Sequence, residues 1–175
     1  MGRLDLTTTI HAPPADVYDF LLDVEGFPAY SEYVRGVTRR GDGGAGTEYG
    51  VALAWWKLTY TVRFRVVDLD PPERVVWRVV EDVESELVWH LEPTTVDDPA
   101  VDEATAVTLT ARYDPETADR GALTLPPFVP TSRVVAMARP VVRREAERIL
   151  ERVVADLEGE PREATLTIEV HPDVG

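Results

Sequence analysis

The chain has 175 residues, 44% of them hydrophobic, which is enough for one domain with its own core. It carries 18 basic and 32 acidic residues, a formal charge of −14, and no cysteine. The composition excludes disulfides, thiolate chemistry and cysteine-based metal sites. So acidic a surface repels the phosphates of nucleic acids and of anionic lipids, and we expect no nucleic-acid partner.

Two further features concern the cellular setting. No apolar run approaches the ~20 residues that span a bilayer, and the first residues lack a signal-peptide pattern. We therefore expect a cytoplasmic protein without stable membrane insertion.

Lys57 is the only lysine, and the other basic residues are arginines. An acidic, lysine-poor chain is typical of a halophilic cytoplasm, where molar salt screens self-repulsion within ~3 Å. A GC-rich genome is the alternative explanation.

The first predicted elements are a strand and two short helical segments. Residues 3–11 alternate in polarity, which predicts a half-buried strand. A short helix is expected over about 14–23, because two prolines mark its start. The sequence Gly-Phe-Pro at 26–28 ends that helix, and a second helical turn is expected over 29–34.

The middle of the chain predicts a series of strands. From Val37 onward, alternating segments are separated by turn residues, and the first turn is the glycine-rich stretch 39–46. The predicted strands cover 47–56, 57–69, 73–81, 84–92 and 104–113. Their short connections predict an antiparallel sheet with one dry and one wet face. Trp77, for example, belongs to the dry face, and its neighbour Arg78 to the wet face.

A long helix over 131–158 is expected to cover the dry face. Apolar residues recur there at spacings of three and four. They are Val134, Ala138, Val142, Ala146, Ile149, Leu150, Val153 and Leu157. Pro140 is expected to kink the helix or split it at Arg139, and Gly159 with Pro161 ends it. Beyond it, alternation over 165–170 predicts an edge strand that extends the sheet or pairs with a second copy in a homodimer.

The order strand, two short helices, six strands and long helix resembles the START and birch-pollen-allergen superfamily. The stretch 11–28, HAPPADVYDFLLDVEGFP, is similar to the opening of its polyketide cyclase and coenzyme Q-binding branch. WHLEP at 89–93, LPPF at 125–128 and the helix end at 156–158 support the resemblance. It spans about 3–158.

The resemblance implies an α+β helix-grip fold. In this fold a curved seven-stranded antiparallel sheet is wrapped around a long C-terminal helix, and two short helices follow strand 1. Residues 1–158 form the domain, and 159–175 form a C-terminal extension with a possible edge strand.

The same resemblance implies a cavity between the sheet and the C-terminal helix. Members bind hydrophobic ligands such as lipids, quinones and polyketides, and a few are cyclases or aromatases. We expect binding or transport of a hydrophobic small molecule. The alternatives are a polyketide cyclase or aromatase, and a non-catalytic scaffold. A buried ionisable residue in the cavity would favour the enzyme. A purely apolar cavity would favour the carrier, and a cavity filled by side chains would favour the scaffold.

Candidate ligand contacts are dry-face aromatic residues and two residues of the long helix. They are Tyr49, Trp55, Tyr60, Phe64, Trp77, Trp89, Tyr113, Met137 and Val141. Such rings line a pocket or simply fill the core. We assign no catalytic residue, no cofactor and no metal, because His11, His90 and His171 have no carboxylate neighbour at ligand spacing.

Overall fold

One antiparallel sheet of eight strands organises the part of the chain that the computed structural model describes. That part is residues 2–55, 58–81, 84–114 and 131–171, with backbone alone for 58 and 131–139. The strands are β1 (Gly2–Ile10), β2 (Val34–Arg40), β3 (Glu48–Trp55), β4 (Leu58–Asp70), β5 (Arg74–Val79), β6 (Ser85–Thr94), β7 (Ala104–Tyr113) and β8 (Thr167–His171). The helices are α1 (Pro14–Leu22) and α2 (Thr131–Glu158), with a 3₁₀ helix over Val24–Ala29.

The strand order is β2-β3-β4-β5-β6-β7-β1-β8. The predicted helix-grip fold is confirmed, with eight strands instead of seven because the extension supplies β8. This strand pairs antiparallel with β1, placing Ile168 opposite Leu6 and Val170 opposite Leu4. The expected edge strand is therefore present and extends the sheet of its own chain. It starts at Thr167 rather than at position 165.

The two faces of the sheet differ as the alternation predicts. Trp77 is 6% exposed, whereas the adjacent Arg78 is exposed and forms an ion pair with Glu86 at 3.3 Å. Arg65 likewise pairs with Glu48 on the outer face. The strand register is strongly specified, because a shift of one strand by one residue would move these guanidinium groups to the buried face.

The segment after α1 corrects one prediction. The second helical turn is not at 29–34, since a 3₁₀ helix directly follows α1 and β2 begins at Val34. The amide of Gly26 donates to the carbonyl of Asp23 at 3.1 Å, and that of Tyr30 donates to the carbonyl of Phe27 at 3.0 Å. The Gly-Phe-Pro sequence stops an α-helix, but a short 3₁₀ turn tolerates Pro28, which has no N–H to donate.

Helix α2 continues through Pro140, so it is not split at Arg139. Val142 was expected on the buried stripe but is 64% exposed, whereas Glu145, one turn further on, is buried. Val154, which the predicted stripe omits, is 0% exposed. The motif at 125–128 and the side chains of Val134, Met137 and Ala138 lie outside the described residues.

The hairpin loop between β2 and β3 requires glycine at one point. Gly41 has φ +131°, and a Cβ there would lie 2.9 Å from the backbone of Thr47. The predicted glycine-rich turn is thus confirmed, and it brings β2 and β3 into register.

Candidate functional site

Four aromatic side chains form a continuous row on the dry face, across β3, β4, β5 and β6. The aromatic row consists of Tyr49, Phe64, Trp77 and Trp89. Successive ring centres are 5.5, 4.7 and 5.7 Å apart, typical of packed aromatic pairs. The first three rings are buried. Among the described residues, the rings of this row pack against one another.

An apolar cavity of about 220 Å³ lies beside the last ring of the row. Strands β1, β6 and β7 form its floor, α1 lines one side, and α2 covers it. Its lining residues are Leu6, Thr7, Thr8, Ile10, Val17, Phe20, Leu21, Trp89, Val107, Leu109, Ala146, Ile149, Leu150, Val153 and Leu166. The side chains of Thr8, Val107 and Ala146 are small, whereas the row carries large rings. Space therefore remains between the sheet and α2 at this end.

The structure brings together only some of the predicted ligand contacts. Trp89 lines the cavity. The other members of the aromatic row, Tyr49, Phe64 and Trp77, do not line the cavity. Four other predicted contacts are half-buried and also lie outside the lining: Trp55, Tyr60, Tyr113 and Val141. The side chain of Met137 lies outside the described residues.

Four buried polar atoms have no hydrogen-bond partner in the described part of the chain. They are Nε1 of Trp77, Nε1 of Trp89, the hydroxyl of Tyr18 and Oε2 of Glu145. Such atoms are uncommon, because an unmade buried hydrogen bond is costly. Burial raises the pKa of the Tyr18 hydroxyl, which therefore stays protonated near neutral pH. Trp89 combines an unpartnered N–H with a place in the cavity wall.

Glu145 is a buried carboxylate on α2 that the sequence analysis missed. It is 7% exposed, and the hydroxyl of Ser31 donates to its Oε1 at 2.9 Å. Its Oε2 has no hydrogen-bond partner among the described residues, and Nη1 of Arg148 lies 3.9 Å from it as an ion-pair partner. The spacing could have revealed it, since Glu145 precedes Ile149 by four and so shares its helix face. It does not line the cavity, although Ala146 does.

Tyr30 fastens the 3₁₀ segment to the same helix. Its hydroxyl donates to Oδ2 of Asp156, and Nη1 of Arg152 donates to its carbonyl at 2.6 Å. Burial, followed by the hydrogen bond to Asp156, raises the pKa of Tyr30 to about 12. This hydroxyl serves as a structural donor near neutral pH.

Two histidines have carboxylate neighbours in space that spacing along the sequence did not predict. Nδ1 of His11 lies 3.6 Å from Oε1 of Glu158, and Nε2 of His171 lies 3.3 Å from Oδ2 of Asp5. Strand pairing and the end of α2 bring these residues together from distant parts of the sequence. His90 is exposed on the outer face, as predicted.

Asp5, Glu169 and His171 each place one potential metal-ligand atom within 4.8 Å of the others. Arg3 already contacts both oxygens of Asp5, with Nε at 3.1 Å from Oδ1 and Nη2 at 3.0 Å from Oδ2. The hydrogen bond from Arg3 lowers the pKa of the Asp5 carboxyl. Ion pairing therefore accounts for this cluster.

An antiparallel sheet that holds a long helix over an apolar cavity defines a helix-grip domain of the ligand-binding kind. The chain belongs to the polyketide cyclase/dehydrase and lipid transport family, whose model matches residues 1–158. Among described residues, no helix is both long and apolar enough to span a membrane.

Several solved structures have a similar fold. One is the Zhui aromatase/cyclase from Streptomyces sp. R1128, with 21% identity and a TM-score of 0.61 over 90% of this chain and 94% of that one. A START superfamily protein from Mycobacterium smegmatis has 13% identity and a TM-score of 0.58, over 91% and 99%. A protein of Thermus thermophilus has 20% identity and a TM-score of 0.61, over 90% and 97%. At these identities the likeness concerns the fold alone, and the family match over residues 1–158 is what confirms the predicted resemblance. Among curated proteins, none matches the sequence.

Proposed function

We propose that the protein binds and carries a small, neutral, hydrophobic molecule in the cavity beside Trp89. The composition of the cavity wall carries this proposal. Among its lining residues, polar side-chain atoms come only from Thr7, Thr8 and the indole of Trp89. Acid–base and nucleophilic catalysis need a positioned ionisable or nucleophilic group, whereas an apolar wall suits a carrier.

The volume limits the size of the ligand. An apolar cavity of ~150 Å³ holds a molecule such as benzene, and drug-sized ligands need ~300–1,000 Å³. At about 220 Å³, the cavity fits a substituted ring or a short branched chain, or that part of a larger molecule. The net charge of −14 favours a neutral ligand over an anion.

The unpartnered N–H of Trp89 supports a ligand that carries a hydrogen-bond acceptor. Nε1 of Trp89 is buried and has no partner among the described residues, so a ligand carbonyl would accept from this donor once the indole turns toward the cavity. Quinones and polyketide-like molecules combine such a carbonyl with an apolar body. They fit the cavity better than a purely hydrocarbon lipid chain.

A cyclase or aromatase activity is the second candidate, and one observation favours it. The buried Glu145 adjoins the cavity-lining Ala146 in sequence, and its Oε2 has no hydrogen-bond partner in the described part of the chain. Its carboxylate contacts Ser31 and lies 3.9 and 4.0 Å from the guanidinium groups of Arg148 and Arg152, and it does not line the cavity. An enzyme would need this group to reach the ligand.

Other parts of the proposal concern the setting of the protein. Adaptation to molar salt rests on the acidic, lysine-poor composition. Pairing of two copies through the β8 edge is proposed on the grounds that edge strands present unpaired backbone groups.

Native mass spectrometry with solvent extraction of the protein purified from its own host tests the function. Ala146→Phe places a ring in the cavity, and Val142→Phe places the same ring on the exposed part of α2. We expect a bound neutral molecule in the wild type and in Val142→Phe, and its loss in Ala146→Phe. Equal retention in all three proteins would contradict the site. A molecule that the wild type converts, and that Glu145→Gln does not, would favour the enzyme.

A further inference from the structure

The C-terminal extension contributes a residue to the cavity. The family match ends at residue 158, yet Leu166 lies among the lining residues. Leu6, another lining residue, is paired across the sheet with Ile168 of the extension. We propose that Leu166 determines the size of the ligand that the cavity accepts, an inference that rests on the proposed function.

The start of the extension is anchored firmly. Nε and Nη2 of Arg162 donate to the two carboxylate oxygens of Glu158 at 2.6 and 2.9 Å. Nη2 also donates to the carbonyl of Thr9 at 2.8 Å, and the side chain of Glu158 is only 8% exposed. A two-pronged guanidinium–carboxylate contact fixes both distance and orientation. The residues that follow α2 are therefore tied to the end of β1.

Leu166 is also held by contacts directly before and after it in the chain. The hydroxyl of Thr8 donates to the carbonyl of Thr165 at 2.9 Å, one residue before Leu166. Strand β8 then pairs with β1 from Thr167 opposite Thr7 to His171 opposite Arg3. Because anchors flank it on both sides, Leu166 forms a preorganised part of the wall. Rigid walls discriminate between ligands by size better than mobile ones.

The test uses n-alkylbenzenes from toluene to hexylbenzene, titrated by calorimetry into the full-length wild type and three variants. For the wild type, affinity should rise about fourfold per added methylene until the chain no longer fits. Leu166→Ala should extend that limit by about two or three methylenes, because it removes three carbon atoms. Leu166→Trp should shorten it. Ile168→Ala is the control, since Ile168 lies on β8 outside the lining.

The possible outcomes distinguish a failure of this inference from a failure of the proposed carrier function. If the wild type binds the series and neither Leu166 variant changes the length limit, Leu166 does not set ligand size, and the carrier function stands. If Ile168→Ala shifts the limit as far as Leu166→Ala, general loosening of β8 explains the effect and the inference fails. If the wild type binds no member, the proposed function fails and the inference with it.

Discussion

The aromatic row and the cavity occupy neighbouring parts of the same dry face, and Trp89 belongs to both. They differ in side-chain volume: in the row, rings with centres 4.7–5.7 Å apart pack against one another, whereas mostly aliphatic side chains surround the cavity of about 220 Å³. Alternation decides which face is buried, and the volume of the facing side chains decides whether that buried space is filled.

The largest expected effect is the removal of a ring from the row. Phe64→Ala should lower the free energy of unfolding by about 3–5 kcal/mol, because it opens a void between Tyr49 and Trp77. Denaturant unfolding measures this loss. Thr59→Ala, on the exposed side of the same strand, is the control and should change it by less than about 0.5 kcal/mol. A loss below about 1 kcal/mol for Phe64→Ala would mean that the row is loosely packed.

At the cavity end, the free energy of unfolding should depend on a polar anchor, the ion pair of Arg162 with Glu158. Arg162→Met leaves the buried carboxylate of Glu158 without its guanidinium partner, and we expect a loss of about 3 kcal/mol. Arg143→Met removes the exposed pair with Glu147 and should cost less than about 0.5 kcal/mol. Denaturant unfolding of both variants checks the difference. Equal losses would show that the extension is not anchored through Arg162.

Adding volume should have opposite effects in the two regions. Val66→Leu, opposite Trp77 in the filled region, should lower stability by about 1–3 kcal/mol through overpacking. Ala146→Leu adds carbon atoms beside the cavity and should leave stability unchanged or raise it slightly. Thermal and denaturant unfolding of the pair measure this contrast. A similar loss of stability in Val66→Leu and Ala146→Leu would contradict a difference in packing between the two regions.

Salt should act on the charged surface and leave the cavity unchanged. Because the net charge is −14, the melting temperature should rise by a few degrees from dilute buffer to molar KCl. The affinity for neutral toluene, corrected for its activity in salt, should stay constant. Melting curves and calorimetry at each KCl concentration test both statements. A flat or falling melting temperature would exclude the halophilic interpretation.

Much of the fold was predictable because it follows from local patterns. Period-two alternation placed Trp77 inside and Arg78 outside, and alternation in the tail predicted β8. The helical stripe was less accurate. Spacing alone does not reveal which side chains of α2 face the sheet, so the prediction placed Val142 in the interior and omitted the buried Glu145.

The site was harder to predict. A cavity forms where side chains from several elements fail to meet, and no periodicity encodes the distance between α2 and the sheet. The large rings of the dry face predict the pocket, yet most of the cavity wall consists of smaller aliphatic residues of β1, α1 and α2. The contact of His11 with Glu158 spans 147 positions in the sequence, so its spacing gave no signal.

The indole N–H signals of the ¹⁵N-labelled protein give the most direct test of the central claim, that a small neutral ligand binds beside Trp89. Acetophenone carries a ring and one carbonyl, and the Trp89 signal can be assigned with Trp89→Phe. We expect saturable titration with a larger shift for Trp89 than for Trp77, because Trp89 lines the cavity and has an unpartnered N–H. An unmoved Trp89 signal, or a larger shift at Trp77, would contradict binding in this cavity.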